Sequence, residues 1–325
     1  MATVADNSQF VYRRLLTQMT VRRGIGETGV GARLAPLVSH PFITGQYFKR
    51  DRQRPGHQSL RRAPGEDVKR IQASKGRMDA FVMTDRSVIK PVPEEYVDGM
   101  PNQEVFQEYE NAANEAVNEI SNEHERDVHD LLWSSTESGF NSIYGSAQVN
   151  TPGTKWDASG ATIRDDVRTE IKRVYKRCGY RANTLLLTDE IFDAIASDPD
   201  NEIGERIKYT NGQVPDTQLM ARYFGVEQVI VPWVLKDDAN PGKSEDFDFL
   251  WDGDNVGVFY IDPSNTRNKD TLASTFYRTN ARKPWLGVFT RYNEDNESYE
   301  AKVHASYDIK MVDKACGSIL WDVLD

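Results

Sequence analysis

From Glu94 to Asp130 the sequence holds twelve carboxylates and a single base, Arg126. Upstream of it, residues 1–77 carry 15 Lys or Arg against 5 Asp or Glu, a balance of +10 in a chain whose net charge is −10. Two long blocks of opposite sign, side by side, restrict the fold strongly. Neither is neutralised from within, so each must be solvated or face a surface of the other sign. The basic block also gives no sign of a core of its own. Pro36, Pro41, Pro55 and Pro64, with glycines between them, interrupt every helix or long strand. It reads as an extended arm. Leu34 to Val38 and Phe42 to Phe48 read as strand pieces, and Met78 to Met83 followed by Val88 to Val92 are expected to pair with them as a long hairpin. The basic tip of that hairpin runs from Lys49 to Arg77.

The acidic block reads as one long helix. Pro101 suits a first turn, Glu104 and Glu108 favour the positive end of the macrodipole, and Phe106, Tyr109, Ala113, Ala116, Ile120, Val128 and Leu131 recur at helical steps. One stripe is apolar and the rest negative. A solvated face is the ordinary explanation of such charge. The adjacent arm adds a second one, in which the arm of one subunit lies across the helix of the next. The candidate contacts are Lys49, Arg50, Arg52, Arg54, Arg61, Arg62, Lys69 and Arg70 on the basic side, and Glu104, Glu108, Glu115, Glu119 and Glu123 on the acidic side. Packaged DNA is the lesser target of the bases.

A chain of 325 residues exceeds the comfortable size of one core, so two subdomains or long extensions are expected. Cys178 and Cys316 are too few and too distant in sequence for a disulfide framework and read as inert core thiols in a reducing compartment. No apolar run spans a bilayer and no secretory signal opens the chain, which points to synthesis in a cytoplasm without membrane contact.

After a connector over Asn141 to Gly160, Ile163, Val167, Ile171 and Val174 mark a helix ending near Gly179. A short strand at Thr184 to Leu187, a helix capped by Thr188, a helix over Thr217 to Phe224 and a strand at Val226 to Val231 follow. Further strands are expected at Val256 to Ile261, Leu272 to Tyr277, Trp285 to Tyr292, Tyr299 to Ile309 and Ile319 to Val323, giving an α+β architecture with a mostly antiparallel carboxyl half. Aromatic residues near Trp233, Trp251, Tyr260, Trp285 and Trp321 read as core.

The run Tyr180 to Val231, YRANTLLLTDEIFDAIASDPDNEIGERIKYTNGQVPDTQLMARYFGVEQVIV, resembles the axial-domain segment of tailed-bacteriophage major capsid proteins with the Hong Kong 97-type fold. That resemblance implies an N-terminal arm over 1–35, an extended β-hairpin loop over 36–93, a peripheral domain with its spine helix over 94–160, an axial domain over 161–256, and mixed strands over 257–325 completing both domains. It implies a coat protein that forms pentamers and hexamers in an icosahedral head around double-stranded DNA, assembled in host cytoplasm and resident in the virion. Portal, scaffold and decoration proteins are the further implied partners. No catalytic, cofactor or metal residue is implied. An encapsulin-type shell around a cargo enzyme resembles the same fold and is the alternative.

Other motifs lack their context. Gly24, Gly26 and Gly29 spell GxGxxG with Asp51 downstream, but arginines stand where a strand is needed and prolines where a helix is needed. His124-Glu125 and His129 are spaced five apart rather than the four that put zinc ligands on one helix face, and read as ordinary polar positions. His40, His57 and His304 stand without neighbouring ligands.

Overall fold

The computed structural model describes residues 29–50, 64, 76–158, 160–197, 216–237, 247–264, 266–279 and 286–325. Its elements run α1 (Gly31–Leu34), β1 (Leu37–His40), β2 (Thr44–Arg50), β3 (Gly76–Val82), β4 (Thr84–Pro93), α2 (Glu94–Val97), α3 (Asn102–Leu132), α4 (Glu137–Ile143), β5 (Val149–Asn150) and α5 (Ile163–Cys178). Then come β6 (Thr184–Leu187), α6 (Asp189–Ser197), α7 (Thr217–Phe224), β7 (Gln228–Ile230), β8 (Leu235–Asp237), β9 (Phe247–Phe249), β10 (Val256–Phe259), β11 (Ala273–Arg278), β12 (Gly287–Asn293), β13 (Ser298–Met311) and β14 (Gly317–Leu320).

Two sheets organise these elements. The first is built on β13, whose 14 residues pair with β11 and β12 along one edge and with β4 along the other, all antiparallel. The second runs β5-β14-β10-β6-β7. Every residue of β6, β10 and β14 is buried, which is why their sequences are continuous apolar or small runs without alternation. Helices α5 and α7 cover this sheet, and both end on a glycine in the left-handed region, Gly179 and Gly225, as the sequence indicates.

Three apolar clusters result. The largest surrounds the second sheet and takes in the last turns of α3 through Val128 and Leu132. The second lies between α3 and the first sheet, where Ala112, Ala113 and Ala116 let the helix approach Val303, Ala305 and Tyr307 of β13 closely. The third, Val38, Tyr47, Phe81, Met83, Phe276 and Val312, sits at the root of the β2–β3 hairpin. Helix α3, 31 residues long, therefore ties two cores together. At roughly 1.5 Å per residue it is long enough to run the length of a small domain.

Several sequence expectations change. The hairpin exists, with Thr44 opposite Val82 and Arg50 opposite Gly76, but β4 is not part of it: Val88 and Val92 pair with Val303 and Tyr299 of β13. Nor is β1, whose Leu37 to His40 run parallel to β11. Residues 30–38 are consequently not a detached arm. Val30, Leu34, Ala35 and Val38 are buried against the protein's own body, because they are apolar and β11 offers an open edge. Trp233 is 70% exposed, not core, although Trp251 is buried. Thr188 precedes α6, but its buried hydroxyl makes no hydrogen bond to the helix.

Candidate assembly interface

The β2–β3 hairpin has two unlike faces because side chains alternate along each strand. Gly45, Tyr47, Lys49, Asp79 and Phe81 turn toward the body. Phe81 stacks on Phe276 with ring centroids 4.2 Å apart, Tyr47 stacks on the same ring at 5.4 Å, and Lys49 Nζ lies 3.5 Å from Asp313. Gly45 is required here, since a Cβ at that position would occupy the space of the Phe81 ring. Backbone N–H groups of the hairpin complete the attachment: Val82 donates to Asp308 at 2.9 Å and Phe48 donates to Asn268 at 3.0 Å.

Among the described residues the opposite face has no such cover. Met78 is 65% and Val82 56% exposed, Ala80 lies between them, and Phe42 and Ile43 are exposed at the base. A second exposed apolar group lies around β8 and β9, where Trp233, Leu235 and Phe247 reach the surface and Trp233 meets Phe249 edge-on.

The predicted charged contacts divide. Arg52, Arg54, Arg61, Arg62, Lys69 and Arg70 lie outside the described residues; Arg50 ends β2, and Lys49 is committed to Asp313. On α3, Glu104, Glu115, Glu119 and Glu123 are exposed and Glu108 is half-buried. Two of the five acids are matched within the chain by β4: Lys90 reaches Glu115 at 2.6 Å, and Arg86 reaches Glu123 at 2.9 Å and Asp127 at 2.7 Å. Arg86 also lies 4.0 Å over the Tyr307 ring, whose hydroxyl donates to Asp127. Glu104, Glu108 and Glu119 have no ion pair with a described residue. The helix thus keeps a negative outer surface, already part-neutralised at its centre.

The structure overturns the reading of His124 and Glu125 as ordinary polar positions, for both are buried. Glu125 Oε2 accepts the Gly31 N–H at 2.6 Å and Oε1 accepts the Trp251 indole N–H at 3.0 Å. One carboxylate thereby joins the N-terminal segment, the long helix and the larger core. A Cβ on Gly29 would stand 2.5 Å from that carboxylate and one on Gly31 2.8 Å, so the contact needs both glycines. Burial pushes the Glu125 carboxyl above the usual range, against the pull of the Gly31, Trp251 and Val30 donors. His124 Nε2 pairs with Thr275 Oγ1 at 3.0 Å, and that hydroxyl donates to the Ala35 carbonyl.

Burial, reinforced by Arg86, lowers the His124 pKa from 6.5 to about 3. The unfolded chain takes up a proton here first as the solution is acidified. His124's contribution is therefore intact above pH 6.5 and falls away as pH drops toward 3. A shift of this size is worth on the order of 4–5 kcal/mol. Urea unfolding across that window is expected to show wild type losing stability more steeply than His124→Gln.

Among the described residues no group of three or more His, Cys, Asp or Glu is placed to hold a metal, and no helix is long and apolar enough to cross a membrane. No protein-family model matches the chain, and neither does any curated protein. Solved structures do. A phage-related protein from Bordetella bronchiseptica RB50 is similar over 95% of this chain and 97% of its own, with TM-score 0.71 and 16% identity. The virus-like particle from Pyrococcus furiosus matches over 95% and 99%, with TM-score 0.54 and 10% identity. A chain of Mycobacterium phage Bobi matches over 92% and 87%, with TM-score 0.52 and 13% identity. At such identities the likeness lies in the path of the backbone, and it runs nearly end to end in all three. This chain has the Hong Kong 97-type capsid fold.

Proposed function

We propose that this protein is the major coat subunit of a tailed-phage head, assembling as pentamers and hexamers into an icosahedral shell around double-stranded DNA. The observation that carries the reading is the β2–β3 hairpin: firmly rooted through Phe81, yet presenting an exposed apolar face in a chain with a capsid fold. In this reading the first sheet with α3 is the peripheral domain and the second sheet with α5 to α7 is the axial domain. The hairpin's outer face lies on an adjoining copy, and Trp233, Leu235 and Phe247 meet their counterparts around the capsomer axis. A contact burying several hundred Å², at about 25 cal/mol per Å², is individually modest and becomes decisive when repeated around every subunit. The role is structural rather than enzymatic, and portal, scaffold and decoration proteins are its natural further partners.

The basic residues 52–70 supply the charge-dependent part. Arg61 and Arg62 are proposed to reach Glu104, Glu108 and Glu119 of a neighbour's α3, the acids without an ion pair among the described residues. Reversing both arginines to Glu is expected to cut particle yield at least tenfold while leaving the monomer's unfolding curve unchanged. Raising salt should weaken wild-type assembly in the same direction. Normal particles from the double variant at low salt would remove this contact from the proposal. A shell around a protein cargo is the second reading, favoured by the nearly complete match to the Pyrococcus furiosus particle. Particles from the native source that contain protein and no DNA would decide for it.

A further inference from the structure

The two cysteines are 138 positions apart in sequence, yet their sulfur atoms lie 3.2 Å apart in the buried interior. Cys178 closes the last turn of α5, and Cys316 ends the short 3-10 turn Lys314–Cys316 that leads into β14. Their backbones are held in register from several sides. Arg177 reaches across from α5 to the Gly317 carbonyl at 3.1 Å, Tyr260 N–H donates to the Cys316 carbonyl at 2.8 Å, and Gly179 ends the helix in the left-handed region. Above the pair, Tyr180 and Tyr260 stack with centroids 4.8 Å apart and almost parallel rings. Both thiols are buried. Cys178 keeps a sliver of exposure and Cys316 has none.

We propose that Cys178 and Cys316 form an oxidisable dithiol that closes to an intrachain disulfide when the protein meets a small hydroperoxide. Bond formation needs the sulfurs to close to about 2.05 Å, a movement of roughly an ångström from their present separation. In the first step the Cys178 thiolate attacks one peroxide oxygen, the O–O bond breaks, and Cys178 becomes a sulfenic acid as hydroxide departs. In the second, Cys316 loses its proton and attacks the Cys178 sulfur, expelling the hydroxyl as water. In sum, two thiols and one hydrogen peroxide yield one disulfide and two waters, with two electrons passing from sulfur to peroxide.

The disulfide ties the C-terminal strand β14, and through it the second sheet, to α5. Thiols held reduced during synthesis would thus be converted to a lock in an oxidising medium. The bond lies within one chain, so its formation is independent of whether that chain assembles.

The test uses the full-length purified protein, reduced, freed of reductant and exposed to hydrogen peroxide in slight excess. It is then unfolded in the presence of N-ethylmaleimide and weighed intact. The expected product carries no maleimide and has lost two hydrogens, its melting temperature rises by several degrees, and dithiothreitol reverses both changes. In Cys316→Ser the same treatment should leave Cys178 as a sulfenic acid that dimedone traps. Two maleimides on peroxide-treated wild type, or a product oxidised on one sulfur only, would overturn the proposal. Wild type alone decides the matter if the serine variant fails to fold.

Discussion

Replacing Glu125 with alanine is expected to cost about 3–5 kcal/mol of folding stability, the largest effect of any single charged position in the described structure. The residue is buried, and its carboxylate receives the Gly31 N–H and the Trp251 indole N–H. Truncation leaves both donors without an acceptor in a place water does not reach. Glu125→Gln keeps the shape and one acceptor oxygen, so it should lose roughly half as much. The pair of variants also separates charge from contact. Because burial raises the Glu125 pKa above its ordinary value of 4.5, folding favours the protonated form. That contribution is complete below the ordinary glutamate range and is lost as pH rises through the folded value. Wild type should therefore lose ground relative to Glu125→Gln as pH is raised toward neutrality, opposite in slope to the His124 effect. Urea unfolding at several pH values measures both; an alanine variant within about 0.5 kcal/mol of wild type would show that the junction bears no weight.

The second large effect concerns assembly and leaves the fold alone. Met78→Asp combined with Val82→Asp places two charges on the outer face of the β2–β3 hairpin, where both native side chains are more than half exposed. Stability of the isolated chain should change by less than about 1 kcal/mol, because exposed substitutions remove little packing. Particle formation should fall below detection, since each copy would have to bury two unpaired charges. Phe81→Ala provides the contrast. It removes a ring stacked on Phe276 and loosens the hairpin root, so it should lower both monomer stability and particle yield. Analytical ultracentrifugation with denaturant unfolding distinguishes the two outcomes.

Much of this architecture was legible in the sequence, and what escaped has physical reasons. Helices α5 and α7 carried their periodicity and terminal glycines openly, so their ends are where the residues put them. The hairpin was legible as two apolar stretches flanking a basic tip. Its partners were not, because β3 and β4 follow one another with only Met83 between them, and nothing local says that pairing switches from β2 to β13 after Val82. The burial of residues 30–38 was hidden by surrounding arginines and prolines; it depends on a parallel edge offered by β11, over 230 positions away. Glu125 and His124 were misjudged although one clue was present. Ile120, His124 and Val128 follow at four-residue steps along the stripe that also holds Ala113 and Ala116, so a histidine there had to be buried. The charged stripe was read as wholly outward, whereas Arg86 and Lys90 of β4 satisfy part of it from within. The contact between Cys178 and Cys316 follows from the closing of the second sheet, which no local pattern announces.

The most direct test is electron microscopy of the purified full-length chain, concentrated at neutral pH and low salt, beside the Met78→Asp, Val82→Asp variant. Closed shells or capsomers of five and six copies are expected from wild type, and only small species from the variant. A wild-type protein that stays monomeric or dimeric under all assembly conditions, with the β2–β3 hairpin accessible to protease throughout, would contradict the account.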